Sequence, residues 1–330
     1  MKPVIVSLMF WFAFGTALLA DAQELFTRRQ DPVSPEIDAV YVKGLKFLVA
    51  TQTKEGNWTD GQGSEPGVVG IAVLAMLAHG EDPNTGPYSA GIRKGLEFII
   101  RRANAQTGYI GPSMYHHGFA TLALAEAYGV VEDPRIGRVL KKAVDLILYS
   151  QSQNSFGAWR YSPESQDADT TVSGAQMVAL FAARNAGIAV PEEAIQKGVR
   201  FYLRCQGADG GFGYTDAGSG NNTRTAIGAL VLALARLKSS PGFKAAMNFL
   251  RAAPFDLAEH PFYSDYYAAQ AFFQADPKTW QDWNEVNAKR LATAQNDDGS
   301  WDGNQDRTFS TGAALLSVAL NYRFLPIYER

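Results

Sequence analysis

The sequence of 330 residues is poor in the side chains that most often bind metals or form cross-links. It contains four histidines and one cysteine, Cys205, which excludes an intrachain disulfide and a thiolate metal cluster. Lys and Arg total 30 against 33 Asp and Glu, and this formal net charge of −3 argues against nucleic-acid binding. Without disulfides, the fold must depend on a hydrophobic core. Hydrophobic residues, 46% of the chain, can supply one.

The N-terminal segment has the three parts of a secretory signal peptide. Lys2 provides the positive start, an apolar run extends from Val4 to Ala20, and Ala20-Asp-Ala22 has the small-x-small pattern of a cleavage site. A retained anchor is the alternative, but the run is short for a membrane-spanning helix. We therefore predict a signal peptide over residues 1–22, a polar linker over residues 23–37, and a secreted or periplasmic protein.

A short turn motif, Gln-x-x-x-Gly-x-Trp, recurs along the chain. Its copies are Gln52…Gly56…Trp58, Gln153…Gly157…Trp159, Gln295…Gly299…Trp301 and, with Phe in place of Trp, Gln206…Gly210…Phe212. The glutamines fit a period of about 50 residues, which predicts two further degenerate copies. We place one at Gln106-Thr-Gly108-Tyr109 and the other near Ala252 to Asp256. The sequence therefore indicates six repeated units.

Each unit is predicted to contain two helices. An amphipathic helix with Lys or Arg on its polar side precedes each turn motif, and a helix of small apolar residues follows it. The second helix is apolar on nearly all sides and should be buried. Six such hairpins, with no obvious polar capping repeat at either end, favour a closed ring over an open solenoid. We predict an all-α fold, an (α/α)6 toroid over residues 38–321, followed by a short tail over residues 322–330.

The turn motifs and paired helices resemble the repeats of squalene-hopene and oxidosqualene cyclases and of the β-subunits of protein prenyltransferases. The resemblance covers roughly residues 38–321 and implies a six-fold toroid whose inner helices line a central cavity. It also implies a small apolar or isoprenoid ligand and peripheral contact with a membrane. The zinc site of protein prenyltransferases needs an Asp-x-Cys pair, which this sequence lacks, so protein prenylation is disfavoured. No cofactor and no metal are expected.

Polar and aromatic side chains occur just before each small-residue helix and in its first turn. In a ring, these positions meet at one mouth of the cavity, where side chains from different units could act together. Aromatic rings there could stabilise a cation, stack on a sugar or fill the core, and arginines could bind an anion or pair with an acid. The predicted ligand-binding residues are Tyr115, Thr170, Arg224, Tyr263, Asp265, Tyr266, Tyr267 and Arg307.

The segment Asp167-Ala-Asp169-Thr-Thr171 resembles the Asp-x-Asp-Asp-Thr acid motif of class II terpene cyclases and, as in that family, precedes a Gly-Ala-rich helix. The alignment implies that Asp169 donates a proton and that Asp167 assists it, with Thr170 in place of the last carboxylate. An acid of this kind must be buried to stay protonated until it is used. The alternative is that Asp169 caps the following helix.

His116 and His117 complete the predicted catalytic set. Because they are adjacent, they cannot both face the same direction on a helix, and we expect one of them to reach the cavity as a general base or as a partner of Asp169. As metal ligands they lack a second histidine at helical spacing. A histidine that only caps or hydrogen-bonds is the structural alternative.

Three functions remain open. The first is an exported, terpene-cyclase-like or prenyltransferase-like toroid that binds an isoprenoid or other apolar ligand, with acid-initiated cyclase-type chemistry through Asp169. The second is a non-catalytic binding or scaffold toroid. The third is a polysaccharide lyase or hydrolase on the same fold. A deep apolar cavity favours the first function, a filled ring the second, and an open groove with two facing carboxylates the third.

Overall fold

The structure is a computed structural model, and it describes residues 33–252 and 260–328. Helices dominate this part of the chain, which contains isolated β-bridges but no strand. The helices are α1 (Pro35–Thr51), α2 (Pro66–Ala78), α3 (Ser89–Arg102), α4 (Met114–Ala127), α5 (Arg135–Gln153), α6 (Thr170–Asn185), α7 (Glu192–Arg204), α8 (Asn222–Leu234), α9 (Pro241–Ala252), α10 (Pro261–Ala275), α11 (Pro277–Ala294) and α12 (Arg307–Val318). Two short 3-10 helices follow, Ala319–Asn321 and Pro326–Tyr328.

The even-numbered helices form a closed inner ring. Each contacts the next even-numbered helix, and α12 contacts α2. The odd-numbered helices form the outer layer, in which α3, α5, α7, α9 and α11 each contact the inner helix that precedes them. The Tyr41 hydroxyl of α1 donates to the carbonyl oxygen of Ala75 in α2, at 2.8 Å. These contacts confirm the predicted (α/α)6 toroid.

The two kinds of helix differ in sequence as their positions require. All residues of α2 are buried, since its Pro-Gly-Val-Val-Gly-Ile-Ala start is small or apolar on every side. In α7 the buried residues recur at helical spacing, with Glu192, Glu193 and Lys197 outside that face. An inner helix therefore has a sequence without a polar face, whereas an outer helix is amphipathic.

The turn motifs tie neighbouring outer helices together. The Gln52 side-chain amide donates to the carbonyl oxygen of Gly56 in its own turn, at 3.1 Å, and to that of Gly91 in the first turn of α3, at 3.0 Å. The Trp58 indole donates back to the Leu48 carbonyl of α1, at 3.0 Å. Gln206 makes the same two kinds of bond. The motif therefore stabilises the array of helices.

The last motif closes the ring. Gln295 donates to the Gly299 carbonyl at 2.9 Å and to the Val40 carbonyl of α1 at 3.0 Å. Gly299 has a φ of +94°, and a Cβ there would lie 2.2 Å from the Lys43 carbonyl oxygen. Only glycine allows so close an approach between the last turn and the first helix.

In the third motif, a different glutamine from the predicted one makes these two bonds. Gln151, not Gln153, donates to the carbonyl oxygens of Gly157 and Ala194, both at 2.9 Å. Gln153 is exposed and bonds to Ser152. The reason is that α5 continues to Gln153, so the amide that reaches the next outer helix comes from an earlier position in the helix.

The degenerate motif copies and the predicted termini fall partly outside the described residues. At the first copy, Gly108 has a φ of +77° and packs against the Lys142 carbonyl, as the other motif glycines pack against their outer helices. The second copy and the predicted signal peptide lie largely or wholly outside the described residues. In the predicted tail, Leu325, Ile327 and Tyr328 are buried, and the helix Pro326–Tyr328 contacts α6. Over the described ranges, no helix is both long enough and apolar enough to cross a bilayer.

Candidate functional site

A cavity of about 320 Å³ lies at the N-terminal ends of four inner helices. Its wall is mostly apolar and aromatic, while its rim carries histidine, amide and carboxylate groups. The wall consists of Val68 from α2, Tyr115 and Phe119 from α4, Tyr263 from α10 and Phe309 from α12. The rim consists of Gln62, Gly67, Ser113, His116, His260, Gln305 and Asp306. The predicted meeting of polar and aromatic residues at one mouth therefore occurs, with Tyr115, His116 and Tyr263 among them.

Aromatic rings from three helices surround Tyr263. Its ring centroid lies 6.4 Å from that of Phe119, edge to face, and 6.2 Å from that of Phe309. Tyr263 is only 8% exposed, and its hydroxyl makes no hydrogen bond. Burial raises the pKa of Tyr263 well above its usual value, and the nearby Tyr267 and Tyr115 hydroxyls add to the shift. An unpaired buried hydroxyl is costly unless a ligand or water satisfies it.

The rim of the cavity carries one carboxylate and two histidines. Asp306 caps α12: one oxygen accepts from the Phe309 N–H at 2.7 Å and the other from the Gln62 N–H at 3.3 Å. Burial raises the pKa of Asp306. Burial lowers the pKa of His116, which favours its neutral form, although Glu65 acts in the opposite direction. His260 shares a hydrogen bond of 3.1 Å with Gln305.

Asp169 caps α6 and does not belong to the cavity lining. Its Oδ1 accepts from the N–H groups of Thr171 and Val172, both at 2.8 Å, and from the Thr171 hydroxyl at 2.7 Å. Its Oδ2 is buried, makes no hydrogen bond, and lies 3.3 Å from Arg160 Nε. Burial is the largest influence on the pKa of Asp169 and raises it, although the hydrogen bonds and Arg160 act in the opposite direction.

A chain of hydrogen bonds connects Asp169 to the cavity. The Tyr115 hydroxyl donates to the Thr171 hydroxyl, which donates to Asp169. Tyr115 itself lines the cavity. Burial, followed by the charge of Asp169, raises the pKa of Tyr115. Tyr115 therefore connects Asp169 to the cavity.

Sequence reasoning missed Arg160, which directly follows Trp159 of the third turn motif. Its guanidinium lies 5.1 Å from the Tyr161 ring centroid and 5.2 Å from that of Tyr214, and 2.8 Å from a carboxylate oxygen of Asp167. Asp167 is exposed. The two aspartates of the predicted acid motif are thus linked through one arginine. The position of Arg160 directly after a motif tryptophan is the sequence feature that could have identified it.

His117 does not reach the cavity. Its ring is fully buried, with Nδ1 accepting from the Ile110 N–H at 3.1 Å and Nε2 bonded to the Ala143 carbonyl oxygen at 3.0 Å. Burial lowers its pKa to about 4. Both ring nitrogens of His117 bond to backbone groups, so this side chain stabilises the local structure. His116 is the histidine of the pair that faces the cavity.

Two of the predicted ligand-binding side chains form ion pairs away from the cavity. Asp265 pairs with Arg290 of α11. It lies two residues after the cavity residue Tyr263, on the other side of α10, because successive helical residues turn by about 100°. Arg307 pairs with Asp298 at 3.1 Å and with Asp302 at 2.8 Å, all three side chains being well exposed. Of the alternatives left open for Arg307, the structure shows pairing with acids, and these acids are Asp298 and Asp302.

The other four predicted ligand-binding residues lie outside the described cavity lining. The Arg224 guanidinium donates to the Phe212 and Ser219 carbonyl oxygens, and the Thr170 hydroxyl donates to that of Gly213 at 2.8 Å. Both therefore hold the loop before α8. Tyr266 and Tyr267 are buried behind the wall, with the Tyr267 ring centroid 5.1 Å from that of Tyr263.

Neither a family model nor a curated protein sequence matches this chain. Solved structures do. A variant of the type II terpene cyclase MstE from Scytonema, in complex with its substrate geranylgeranyl dihydroxybenzoate, has a TM-score of 0.61 at 16% identity, over 88% of this chain and 98% of that one. An inactive variant of the α-1,6-mannanase GH76A of Salegentibacter, in complex with α-1,6-mannotetrose, has a TM-score of 0.66 at 12% identity, over 87% and 100%. At these identities the likeness shows the toroid fold alone.

No group of three or more His, Cys, Asp or Glu side chains within the described ranges is arranged to hold a metal ion. The described cavity residues can supply hydrogen bonding, proton transfer and aromatic contact.

Proposed function

We propose that this protein binds a small apolar ligand, with an isoprenoid as its preferred class, in the cavity at the mouth of the ring. One observation carries the proposal: aromatic rings from α4, α10 and α12 converge on a single cavity of about 320 Å³. Apolar walls with a few polar groups are the usual composition of a small-molecule site. The predicted signal peptide would place this binding outside the cytoplasm.

The polar groups of the cavity favour a ligand with a neutral polar end. The buried Tyr263 hydroxyl lacks a hydrogen-bond partner, and His116 and Gln305 line the same space. A hydroxyl or carbonyl group could bond to all three types of side chain. The volume lies near the lower end of the range for ligand pockets, roughly 300–1,000 Å³. A short isoprenoid alcohol such as farnesol therefore suits it better than a long polyprenyl chain.

The fold neighbours give limited support to this ligand class. MstE holds an isoprenoid substrate in a toroid of the same architecture. The mannanase holds a mannose oligosaccharide, so the fold alone does not choose between the two classes. Among the described lining residues Asp306 is the only carboxylic acid, whereas glycoside hydrolysis typically needs two that flank the substrate. The lining therefore favours the apolar ligand over the polysaccharide.

Acid-initiated cyclase-type chemistry is the second candidate, and the link from Asp169 to Tyr115 favours it. The raised pKa of Asp169 helps it to keep a proton. A transfer to the ligand needs protonated Asp169 and the reverse of both hydrogen bonds. Asp169 would then donate to Thr171, Thr171 to Tyr115 and Tyr115 to the ligand, so that the net proton comes from Asp169. The raised pKa of Tyr115 makes it a weak donor. Binding is therefore the primary proposal.

Calorimetric titration with farnesol, with geraniol and with α-1,6-mannotetraose tests the binding proposal. We expect saturable one-site binding of farnesol and none of the sugar. Val68→Phe places a larger side chain in the cavity and should weaken farnesol binding by about tenfold or more. Val139→Phe is the matched control, because Val139 lines a separate groove beside α5. Circular dichroism melts verify that both variants fold.

The titrations also have outcomes that contradict the proposal. Binding of mannotetraose without binding of either isoprenoid would favour the polysaccharide alternative. Equal farnesol affinity in the wild type and in folded Val68→Phe would place the ligand elsewhere. For the acid reaction, Asp169→Asn should abolish conversion of a bound isoprenoid but not its binding.

A further inference from the structure

A second cavity, of about 1,090 Å³, lies at the opposite, C-terminal ends of inner helices α6, α8 and α10. We propose that it binds a phosphate-class oxyanion carried on a larger molecule. Its cationic side chains are Arg184 from the last turn of α6, and Arg236 and Lys238, which follow α8. Amide groups of Asn185 and Gln274 add neutral hydrogen-bonding groups. This proposal is independent of the ligand proposed for the mouth.

The described side chains that line this cavity carry more positive than negative charge, in a protein of net negative charge. Its described lining has three cationic residues and one acid, Glu192, in a chain whose formal charge is −3. Glu192 lies 3.0 Å from Arg184 and is well exposed, so it neutralises Arg184 only in part. The excess of positive charge would attract an anion.

The backbone at Arg236 is the most informative feature of this cavity. A residue in the left-handed conformation follows each of the inner helices α2, α4 and α6, and in each case it is a glycine. These glycines are Gly80, Gly129 and Gly187, with φ between 85° and 91°. After α8 it is Arg236, with φ of 62°. A residue with a Cβ is disfavoured there, so arginine at this position lowers the stability of the turn.

Within residues 33–252 and 260–328, no interaction accounts for an arginine at this position. The Arg236 side chain is exposed, and its guanidinium has no hydrogen-bonding or ionic partner among the described residues. The remaining structural explanation is a general one, that a cation near a helix C-terminus stabilises the helix dipole. Measurements of binding and stability on Arg236→Gly separate that explanation from ligand binding.

The donor set fits phosphate or sulfate groups. Two guanidinium groups offer forked pairs of N–H donors, which match tetrahedral oxyanions, and an ammonium group adds a point charge. The cavity is much larger than one such group, and Phe181 and Leu234 give it apolar surface. The anion would therefore belong to an organic molecule, either a soluble organic phosphate or the headgroup of an anionic lipid.

Binding assays on the full chain test this inference with two kinds of probe. Inorganic pyrophosphate and glycerol 3-phosphate are titrated by calorimetry, and vesicles of phosphatidic acid are compared with vesicles of phosphatidylcholine by co-sedimentation. We expect binding in at least one arm. Arg236→Gly and Lys238→Gln should each weaken it by about tenfold, the ratio that corresponds to one charge-assisted hydrogen bond.

Arg236→Gly also has a stability readout and a matched control. Because it introduces the glycine found after α2, α4 and α6, its melting temperature should equal or exceed that of the wild type. Arg323→Gly is the control, since Arg323 also has a positive φ, of 58°, and lies outside the described cavity lining. It should leave anion binding unchanged.

Three outcomes would overturn the inference. They are no binding of any phosphate probe, equal binding by the wild type and Arg236→Gly, or equal loss of binding in Arg323→Gly. A melting temperature lowered by Arg236→Gly at unchanged affinity would identify the helix dipole as the reason for the arginine. Val68→Phe, which alters the mouth, should not change anion binding, so failure of one proposal does not imply failure of the other.

Discussion

The mouth of the ring has two dissimilar sides. The open side consists of α2, α4, α10 and α12, whose first turns line the cavity. The covered side consists of α6 and α8 with the preceding loops, residues 154–169 and 205–221. On the open side, α4 follows a shorter loop, residues 103–113. A nearly repeated architecture therefore encloses its cavity asymmetrically.

Side chains of the two long loops account for the covering. Arg160 lies against the rings of Tyr161 and Tyr214, one from each loop, and the two tyrosine hydroxyls are 2.5 Å apart. The Tyr161 carbonyl oxygen also accepts from the Met114 N–H at the start of α4, at 2.8 Å. These contacts join the two long loops to each other and to the start of α4, on the side of the mouth away from the cavity lining.

The largest expected effect compares the two capping aspartates. Asp169→Ala on the covered side removes a cap that accepts three hydrogen bonds and should lower the free energy of unfolding by about 2 kcal/mol. Asp306→Ala on the open side removes a cap that accepts from Phe309 and Gln62, one bond being long, and should cost about 1 kcal/mol. Urea unfolding measures both. Equal losses would mean that the covered side is no more tightly held than the open side.

The pH dependence of stability offers a second comparison. Burial raises the pKa of Asp169, so the folded protein holds this proton to a higher pH than the unfolded chain does. Its contribution is therefore fully present below the unfolded pKa and is lost as pH rises through the folded pKa. As the pH rises above about 4, the wild type should lose stability relative to Asp169→Asn.

Urea unfolding of both proteins at each pH gives this difference. Using the difference cancels the opposite contribution of His117, whose pKa is lowered to about 4 and which destabilises the fold as pH falls below its unfolded value. A difference that is flat with pH would show that the hydrogen bonds and Arg160 offset the effect of burial on Asp169.

The fold was predictable because its cause is repeated in the sequence. The Gln-x-x-x-Gly-x-Trp motifs and the contrast between amphipathic and fully apolar helices fix the order and burial of the helices. The register error at Gln153 arose because a sequence motif does not show where α5 ends. Asp169 was correctly recognised as a candidate helix cap, since Asp before a helix has that physical role independently of any catalysis.

The site was less predictable because its composition depends on the direction in which each side chain points. Tyr263 and Asp265 lie two residues apart, yet one faces the cavity and the other pairs with Arg290. The sequence places both in one helical turn but does not show which face points inward when the helix is apolar on nearly all sides. Gln62 and Gln305 were missed because they lie in loops without periodicity.

The smallest expected change in stability concerns single hydroxyl groups on the two sides. Tyr263→Phe on the open side removes a hydroxyl that makes no hydrogen bond, so the free energy of unfolding should stay within about 0.5 kcal/mol of the wild type. Thr171→Val on the covered side breaks the link between Tyr115 and Asp169 and should cost about 1 kcal/mol. Urea unfolding measures both changes.

Ligand binding should show the reverse order. Tyr263→Phe should weaken binding of farnesol, whose hydroxyl would pair with that of Tyr263, but not binding of the corresponding hydrocarbon farnesene. Thr171→Val should leave farnesol affinity within about twofold. Thr171 does not line the cavity, and it is hydrogen-bonded to Tyr115, which does. If Tyr263→Phe instead destabilises the fold and leaves farnesol affinity unchanged, then the Tyr263 hydroxyl is satisfied within the protein, and the polar end of the ligand must bind elsewhere on the rim.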